Sequence, residues 1–330
     1  MASVLAKLVR PAPAWLALAG ALALLAAFPA VGDKFYLQLL SKIMLMAIFA
    51  MSLDLLVGYA GLVSFGHAAF FGLGAYGLWL VSPEYEAANL WLSLPVAVLI
   101  AATAALAIGL LVLRSSGVYF IMVTLAFAQM FFYYVHGANW LGGSDGVYIY
   151  VKPDASLFGW APFDLENHVE FYYVALALMA FVYVALRVVL DSPFGRVVRG
   201  IKSNEPRMRA LGFATARYKL AAFVIAGALA GLAGYFNAAQ FGFVSPDLFG
   251  WRLSGIVLMM VILGGMGTLY GPILGAFAIV LLEDTLSGTT RHWLLPMGLF
   301  IILAVLALPK GFAGLALGWR GPRRREAGNG

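Results

Sequence analysis

The 330-residue chain is too apolar for a soluble protein, because 63% of its residues are hydrophobic and only 11% are charged, whereas ordinary soluble domains carry about 25% charged residues. Its net charge of +6 is typical of basic residues gathered on one side of a membrane and does not indicate a nucleic-acid surface. The absence of cysteine excludes disulfides and thiolate metal sites. We therefore predict an all-α, polytopic integral membrane protein with a single transmembrane domain over residues 1–330.

Apolar stretches follow one another along the chain and predict about ten transmembrane helices. Basic residues fall in alternate connections, which places both termini in the cytoplasm because cytoplasmic loops are enriched in Lys and Arg. Two of the stretches are shorter than the ~20 residues that a spanning helix needs. The predicted spans are Ala14–Val31, Tyr36–Val57, Leu62–Val81, Leu90–Leu113, Tyr119–Val135, Phe171–Val189, Leu220–Phe241, Leu253–Leu263, Ile273–Leu282 and Trp293–Leu308.

The polar connections give each side of the membrane its own character. The outer segment (His136–Glu170) is acidic, aromatic and glycine-rich, which suits an interfacial surface that faces a soluble partner. The C-terminal tail, residues 311–330, is basic and is predicted to be cytoplasmic. The charge rule places Arg199 and Arg323 inside, and Asp145 and Glu166 outside.

The basic loop (Asp191–Lys219) holds seven of the 21 Lys and Arg residues and is predicted to fold. Ser192-Pro193 is typical of a helix N-cap followed by proline at the first helical position. A second short helix is predicted to begin at Ser203 or Asn204 and to stop at Gly212, where a left-handed conformation suits glycine. Such a loop is either a rigid contact for a soluble partner or a solvated loop that only obeys the charge rule.

Several chemistries are excluded by the sequence. Glycine is never followed by lysine, so the chain lacks the phosphate-binding loop of common ATPases and cannot hydrolyse ATP by that route. The four histidines are scattered and none has the spacing of a zinc site. We expect no catalytic residue, no metal site and no cofactor in this chain.

Two glycine-rich stretches, Asp54–Gly77 and Gly264–Gly275, lie in opposite halves of the chain. Glycines at these spacings either let helices pack closely or let a helix break beside a cavity. Interrupted helices in two halves indicate an internal pseudo-repeat around a central pathway. The candidate helix-break glycines are Gly58, Gly61, Gly66, Gly72, Gly264, Gly265 and Gly267.

Polar side chains within the spans are candidates for the lining of a pathway, since an unpaired amide in hydrocarbon costs roughly 2–7 kcal/mol. Interhelical hydrogen bonds with no transport role are the alternative. Asp54 is the clearest ionisable group for an ion-coupled transporter, but it also suits a hydrogen bond to a helix end. The pathway candidates are Ser64, His67, Gln129, Asn237 and Gln240.

The run DLLVGYAGLVSFGHAAFFGLGAYG (Asp54–Gly77) resembles the signature of permease subunits of branched-chain amino acid ABC importers. Ser192–Gly234, Val244–Phe249 and Ile262–Ala276 resemble that family in the same order, so the similarity covers roughly residues 36–310. The sequence departs from the family at Asp54, where a neutral side chain is more usual.

The resemblance implies a permease in a bacterial inner membrane, paired with a second related permease as a heterodimer. It also implies cytosolic ATP-binding-cassette ATPases, which bind the ATP, and a periplasmic binding protein that delivers branched-chain amino acids. The basic loop then becomes the ATPase-coupling element. Its implied coupling residues are Arg199, Glu205, Arg207, Met208, Arg209, Leu211 and Gly212.

Other solutes and other functions stay open at this point. Related permeases could carry urea, short-chain amides or aromatic acids. A passive channel for a small neutral solute would need a constriction lined by ordered donors and acceptors. A membrane-embedded scaffold would carry no solute.

Overall fold

The computed structural model describes residues 20, 23–30, 32–83, 85–156, 162–308 and 311–316. Most of the predicted first span, Ala14–Val31, lies outside the described residues, and so does Arg323 of the tail.

The described chain is mostly helical, with one short pair of strands. Residues 23–27 are helical, and 3₁₀ turns cover Phe28–Ala30, Asn139–Leu141, Gly143–Asp145 and Pro246–Phe249. The strands are β1 (Val147–Tyr148) and β2 (Phe243–Val244). The helices are α1 (Lys34–Asp54, continued by a π-helical segment Leu55–Ala60), α2 (Ala68–Val81), α3 (Leu90–Val112), α4 (Val118–Gly137), α5 (His168–Asp191), α6 (Pro193–Ser203), α7 (Glu205–Ala210), α8 (Thr215–Phe241), α9 (Trp251–Gly264), α10 (Tyr270–Thr289), α11 (Leu294–Ala307) and α12 (Gly311–Ala316).

Seven helical stretches of the described chain are long and apolar enough to cross a membrane. They contain α1, α3, α4, α5, α8, α10 and α11, whereas α2 and α9 are apolar but have only 14 residues each. The prediction of a helical, polytopic membrane protein is therefore confirmed. Two predicted boundaries change. The span predicted from Leu62 becomes helical only at Ala68, and the short ninth stretch lengthens to Tyr270–Thr289.

Helix α1 forms the centre of the bundle, with 94% of its most apolar window buried. It packs against α5, α8, α9 and α10. On another side α8 packs closely against α2 and α3 through small residues. A Cβ added at Gly231 would overlap Ala101 of α3, and one at Gly74 of α2 would overlap the Gly231 carbonyl. Small residues thus bring these backbones together, as glycine and alanine do at helix contacts in membranes.

The outer segment folds over one end of the bundle. Val147 of β1 pairs with Val244 of β2 in an antiparallel register, a contact that the all-α prediction did not include. Farther along, the Asp154 carbonyl accepts a hydrogen bond from the Leu90 amide at 2.8 Å, and the Asp154 amide donates to the Ala88 carbonyl at 2.8 Å. The connection between the predicted third and fourth spans therefore meets the outer segment at this end of the bundle.

Residues 23–30 reach the same end. Tyr172 in the first turns of α5 donates a hydrogen bond to the Leu25 carbonyl at 2.6 Å. Its neighbour Tyr173 donates to the Ala26 carbonyl at 3.1 Å. These two bonds fix the described part of the N-terminal region against α5.

The orientation can be tested by labelling single cysteines, because the chain contains none of its own. We expect Asp145→Cys to react with a membrane-impermeant maleimide on intact cells, and Arg207→Cys to react only after permeabilisation, since basic loops stay in the cytoplasm. Labelling of position 207 on intact cells would contradict the topology.

Candidate coupling and translocation site

The first helix of the basic loop, α6, lies against the ends of the membrane helices. Ser192 Oγ accepts a hydrogen bond from the Gly195 amide at 3.5 Å, and Pro193 occupies the first turn, as predicted. The helix is amphipathic and buries Val197, Val198 and Ile201. It is therefore attached to the bundle along an apolar face and does not hang free in solvent.

Arg199 fixes the joint between α5 and α6. Its Nη2 donates to the Leu190 carbonyl at 2.5 Å, and its Nε donates to the Gly195 carbonyl at 3.3 Å. A guanidinium that satisfies the last carbonyls of a helix stabilises that end. This predicted coupling residue thus acts inside the chain, at the start of the basic loop.

The second helix, α7, is stabilised both by an N-cap hydrogen bond and by ion pairs of Glu205. Asn204 Oδ1 accepts a hydrogen bond from the Arg207 amide at 2.9 Å, so Asn204, one of the two predicted starting positions, is the N-cap. Glu205 accepts hydrogen bonds from Arg209 Nη2 at 2.7 Å and from Lys219 Nζ. Partial burial alone would raise the pKa of the Glu205 carboxyl, but the hydrogen bonds from Lys219 and Arg209 outweigh it and keep that pKa below its ordinary value.

The apolar residues of α7 point in different directions. The Met208 thioether lies against Gly200 of α6, where an added Cβ would come within 2.8 Å of Met208 Sδ. Leu211 is 66% exposed, so the two side chains do not form one shared anchor. Gly212 has φ of +87°, the left-handed conformation expected where the chain turns back.

Lys202 connects the basic loop to the first helix break. Its Nζ donates to the Gly58 carbonyl of the π-helical segment at 2.5 Å. The aliphatic part of the same side chain packs on Gly61, whose φ of +72° ends that segment. The sequence reasoning missed Lys202. Its position three residues after Arg199, on the same face of α6, was the available signal.

The first break is in turn bonded to the second. Asp54 is fully buried, and its Oδ1 accepts a hydrogen bond from the Gly267 amide at 2.8 Å. Gly58 lies so close to Gly267 that a Cβ there would overlap the Gly267 amide and the Asp54 carboxylate. Of the two readings of Asp54, the hydrogen bond at a helix break is the one observed.

Six of the seven predicted break glycines lie at or beside an interruption of the α-helices, and Gly72 does not. Gly61, Gly265 and Gly267 have positive φ of 72°, 115° and 77° at the interruptions, while Gly58 and Gly264 lie beside them. Gly66 lies in the non-helical link before α2, against the Thr124 carbonyl. Gly72 is a correction, because it lies inside α2 and its missing side chain makes room for Phe249.

The polar pathway candidates do not come together in one place. Ser64 and His67 are fully buried, and His67 Nε2 shares a hydrogen bond of 2.8 Å with Ser52 Oγ of α1. Asn237 is also buried, and Gln240 Nε2 donates to the Gln38 carbonyl at 2.6 Å, joining α8 to α1. His67 and Gln240 thus form contacts between helices.

Gln129 differs from the other four because it lines an open groove of about 490 Å³ between α4 and the start of α9. Its Nε2 is buried and has no hydrogen-bond partner in the described part of the chain. The groove also contains Asp247 and Arg252, which the sequence reasoning did not select. An arginine in the first turn of an apolar helix was the signal that could have found them.

The ion pairs of Glu205 can be tested with a neutral replacement. Glu205→Gln should loosen α7, because hydrogen bonds to a charged group contribute about 1.5–3 kcal/mol each in favourable cases. Hydrogen–deuterium exchange of residues 203–212 should rise in this variant. Arg207→Gln is the matched control, since it alters the charge by one unit and breaks no ion pair that the described residues form. Equal exchange in the two variants would contradict the role of Glu205.

Sequence comparison places the chain among transport permeases. The family described as branched-chain amino acid transport system / permease component matches residues 35–308. The high-affinity branched-chain amino acid transport system permease protein LivM of Escherichia coli (strain K12) is 32% identical over 311 residues, which cover 88% of this chain and 72% of that protein. LivM of Salmonella typhimurium is 31% identical over 306 residues, 86% of this chain and 71% of that protein.

A more distant relative is the probable branched-chain amino acid transport permease protein LivM of Methanocaldococcus jannaschii, 26% identical over 164 residues, 46% of this chain and 43% of that protein. No solved structure matches the chain significantly. The family match extends from the start of α1 to the end of α11 and includes the basic loop and both helix breaks. The chain therefore belongs to the family of branched-chain amino acid transport permeases.

Proposed function

We propose that this chain is the transmembrane permease subunit of an ATP-binding-cassette importer for branched-chain, hydrophobic amino acids. The single observation that carries the coupling role is the hydrogen bond from Lys202 Nζ to the Gly58 carbonyl, which joins the basic loop to a helix break inside the bundle. Relatives named LivM support the choice of solute.

The basic loop is the contact for cytosolic ATP-binding-cassette ATPases, which bind and hydrolyse the ATP. Its exposed surface offers the Arg207 cation and the apolar Leu211 side chain. A push on α7 passes to α6 through the Met208–Gly200 contact, and from α6 to Gly58 through Lys202. Because Gly58 packs on Gly267, one movement acts on both helix breaks.

The assembled importer is proposed to contain a second, related permease as a heterodimer and a periplasmic binding protein. It lies in the bacterial inner membrane with about ten spans in this chain and both termini in the cytoplasm. The outer segment is the candidate docking surface for the binding protein. The two helix breaks, one in each half and in contact with each other, support a pseudo-repeat around the pathway.

The pathway is proposed to run along the groove beside Gln129. Polar groups there cannot face lipid without a large cost, so the groove faces water or the second permease. Ser64, His67, Asn237 and Gln240 act as supports that hold the surrounding helices, because they are buried or bonded to a neighbouring helix.

Uptake into proteoliposomes tests the function directly. With both permeases, the ATPases and the loaded binding protein, we expect uptake of leucine, isoleucine and valine that requires ATP, and no uptake of urea. Solute entry through this chain without ATPases or ATP would instead establish a passive channel and contradict the proposal.

The coupling route predicts a specific phenotype for Lys202→Met. This variant should still assemble with the ATPases and stimulate ATP hydrolysis, while leucine uptake per ATP should fall about fivefold or more, since a hydrogen bond from a charged donor is worth ~1.5–3 kcal/mol. Arg196→Gln on the same helix removes a cation that makes no bond to Gly58 and should leave the ratio unchanged.

Two outcomes would contradict this route. One is an unchanged ratio of uptake to ATP hydrolysis in Lys202→Met. The other is full transport by a chain in which Asn204–Gly212 are scrambled with their charges kept, because a solvated loop would tolerate that change and a docking helix would not.

A further inference from the structure

The groove between α4 and α9 carries unpaired groups of both charges. Asp247 lies in the 3₁₀ turn before α9 and Arg252 in the first turn of α9, and both line the groove. Among the described residues, neither side chain forms an ion pair or a hydrogen bond. Gln129 also lines the groove, and its buried amide nitrogen lacks a partner in the described part of the chain.

This groove enters the depth of the membrane from the outer side. Gln129 lies eight residues before the end of α4 at Gly137, a depth of about 12 Å at the rise of an α-helix. Asp247 and Arg252 follow β2, which pairs with the outer segment, and so lie nearer the outer surface. A solute released outside would meet the two charged groups first and the amide next.

The remaining lining is apolar and includes Phe132, Leu253 and Ile256. The groove thus combines a carboxylate, a guanidinium, an amide donor and an apolar wall. An α-amino acid zwitterion carries the complementary set. Its ammonium group suits Asp247, its carboxylate suits the fork of Arg252 donors, and its aliphatic side chain suits the apolar wall. The volume of about 490 Å³ is within the ~300–1,000 Å³ typical of small-molecule sites.

We propose that this groove is a transit subsite for the zwitterionic head group of the transported amino acid, formed by Asp247, Arg252 and Gln129. The inference rests on the proposed function and adds the residues that recognise the solute within the permease. The two unpaired charges also favour brief binding. Each is already hydrated on the open side of the groove, so pairing with the solute gains only the difference between the ion-pair and hydration free energies.

Photo-leucine, a diazirine analogue of leucine, tests the subsite in the full importer reconstituted with its ATPases and binding protein. On irradiation during turnover, we expect adducts on the segments 129–133 and 247–256, with excess leucine competing them away. Arg252→Gln and Asp247→Asn should each reduce these adducts about twofold to fivefold, since an exposed charge pair is worth ~0.2–1 kcal/mol.

Matched controls come from the start of α1. Asp33→Asn and Lys34→Gln remove the same two charges around the outer end of another membrane helix, outside the groove, and should leave the adducts unchanged. Wild-type complex that labels elsewhere, or variants that label normally, would overturn the subsite.

Two further measurements test whether the groove instead binds the binding protein or the second permease. If Arg252→Gln weakens capture of the loaded binding protein in proportion to the adducts, the surface is a docking face and the subsite is wrong. If the variant fails to co-elute with the second permease, the groove is a subunit interface and the subsite is wrong. If the wild-type complex shows no ATP-dependent leucine uptake, the proposed function itself is wrong.

Discussion

The architecture depends on one constraint, which is that backbone amides and carbonyls freed inside a membrane must find partners within the protein. Two helix breaks create such groups, and their partners come from Asp54 at the first break and from Lys202 of the basic loop. The Asp54 carboxylate accepts from the Gly267 amide, and Lys202 donates to the Gly58 carbonyl. The second break therefore depends on Asp54 at the first break, and the first break depends on Lys202 of α6.

The bond from Lys202 explains why the basic loop is joined to the membrane bundle. Lys202 belongs to α6, but the carbonyl it satisfies belongs to the π-helical segment after α1. Moving α6 without moving this segment would leave a buried carbonyl unpaired, at a cost of about 1–3 kcal/mol. Gly58 has no side chain, and its backbone lies directly against Gly267. A shift of Gly58 is therefore passed on to Gly267. A displacement of α6 therefore moves the π-helical segment with it.

Local signals predicted the local structure well. The caps at Ser192 and Asn204 and the left-handed Gly212 depend on residues within a few positions, and all three are observed. The prediction for Gly72 as a break was wrong because a glycine has the same local signature at a break and at a close contact. What decides between them is Phe249, which is remote in sequence and reaches Gly72 only in the fold.

Contacts between residues remote in sequence also decide which polar side chains belong to the candidate pathway. The sequence identifies polar side chains within apolar helices, yet it cannot say which of them have partners. His67 is bonded to Ser52 and Gln240 to Gln38, whereas the Gln129 amide nitrogen has no partner in the described chain. An amide that stays unpaired at this depth requires water or another protein beside it. On the proposed function, the groove on α4 therefore opens onto the water of the pathway.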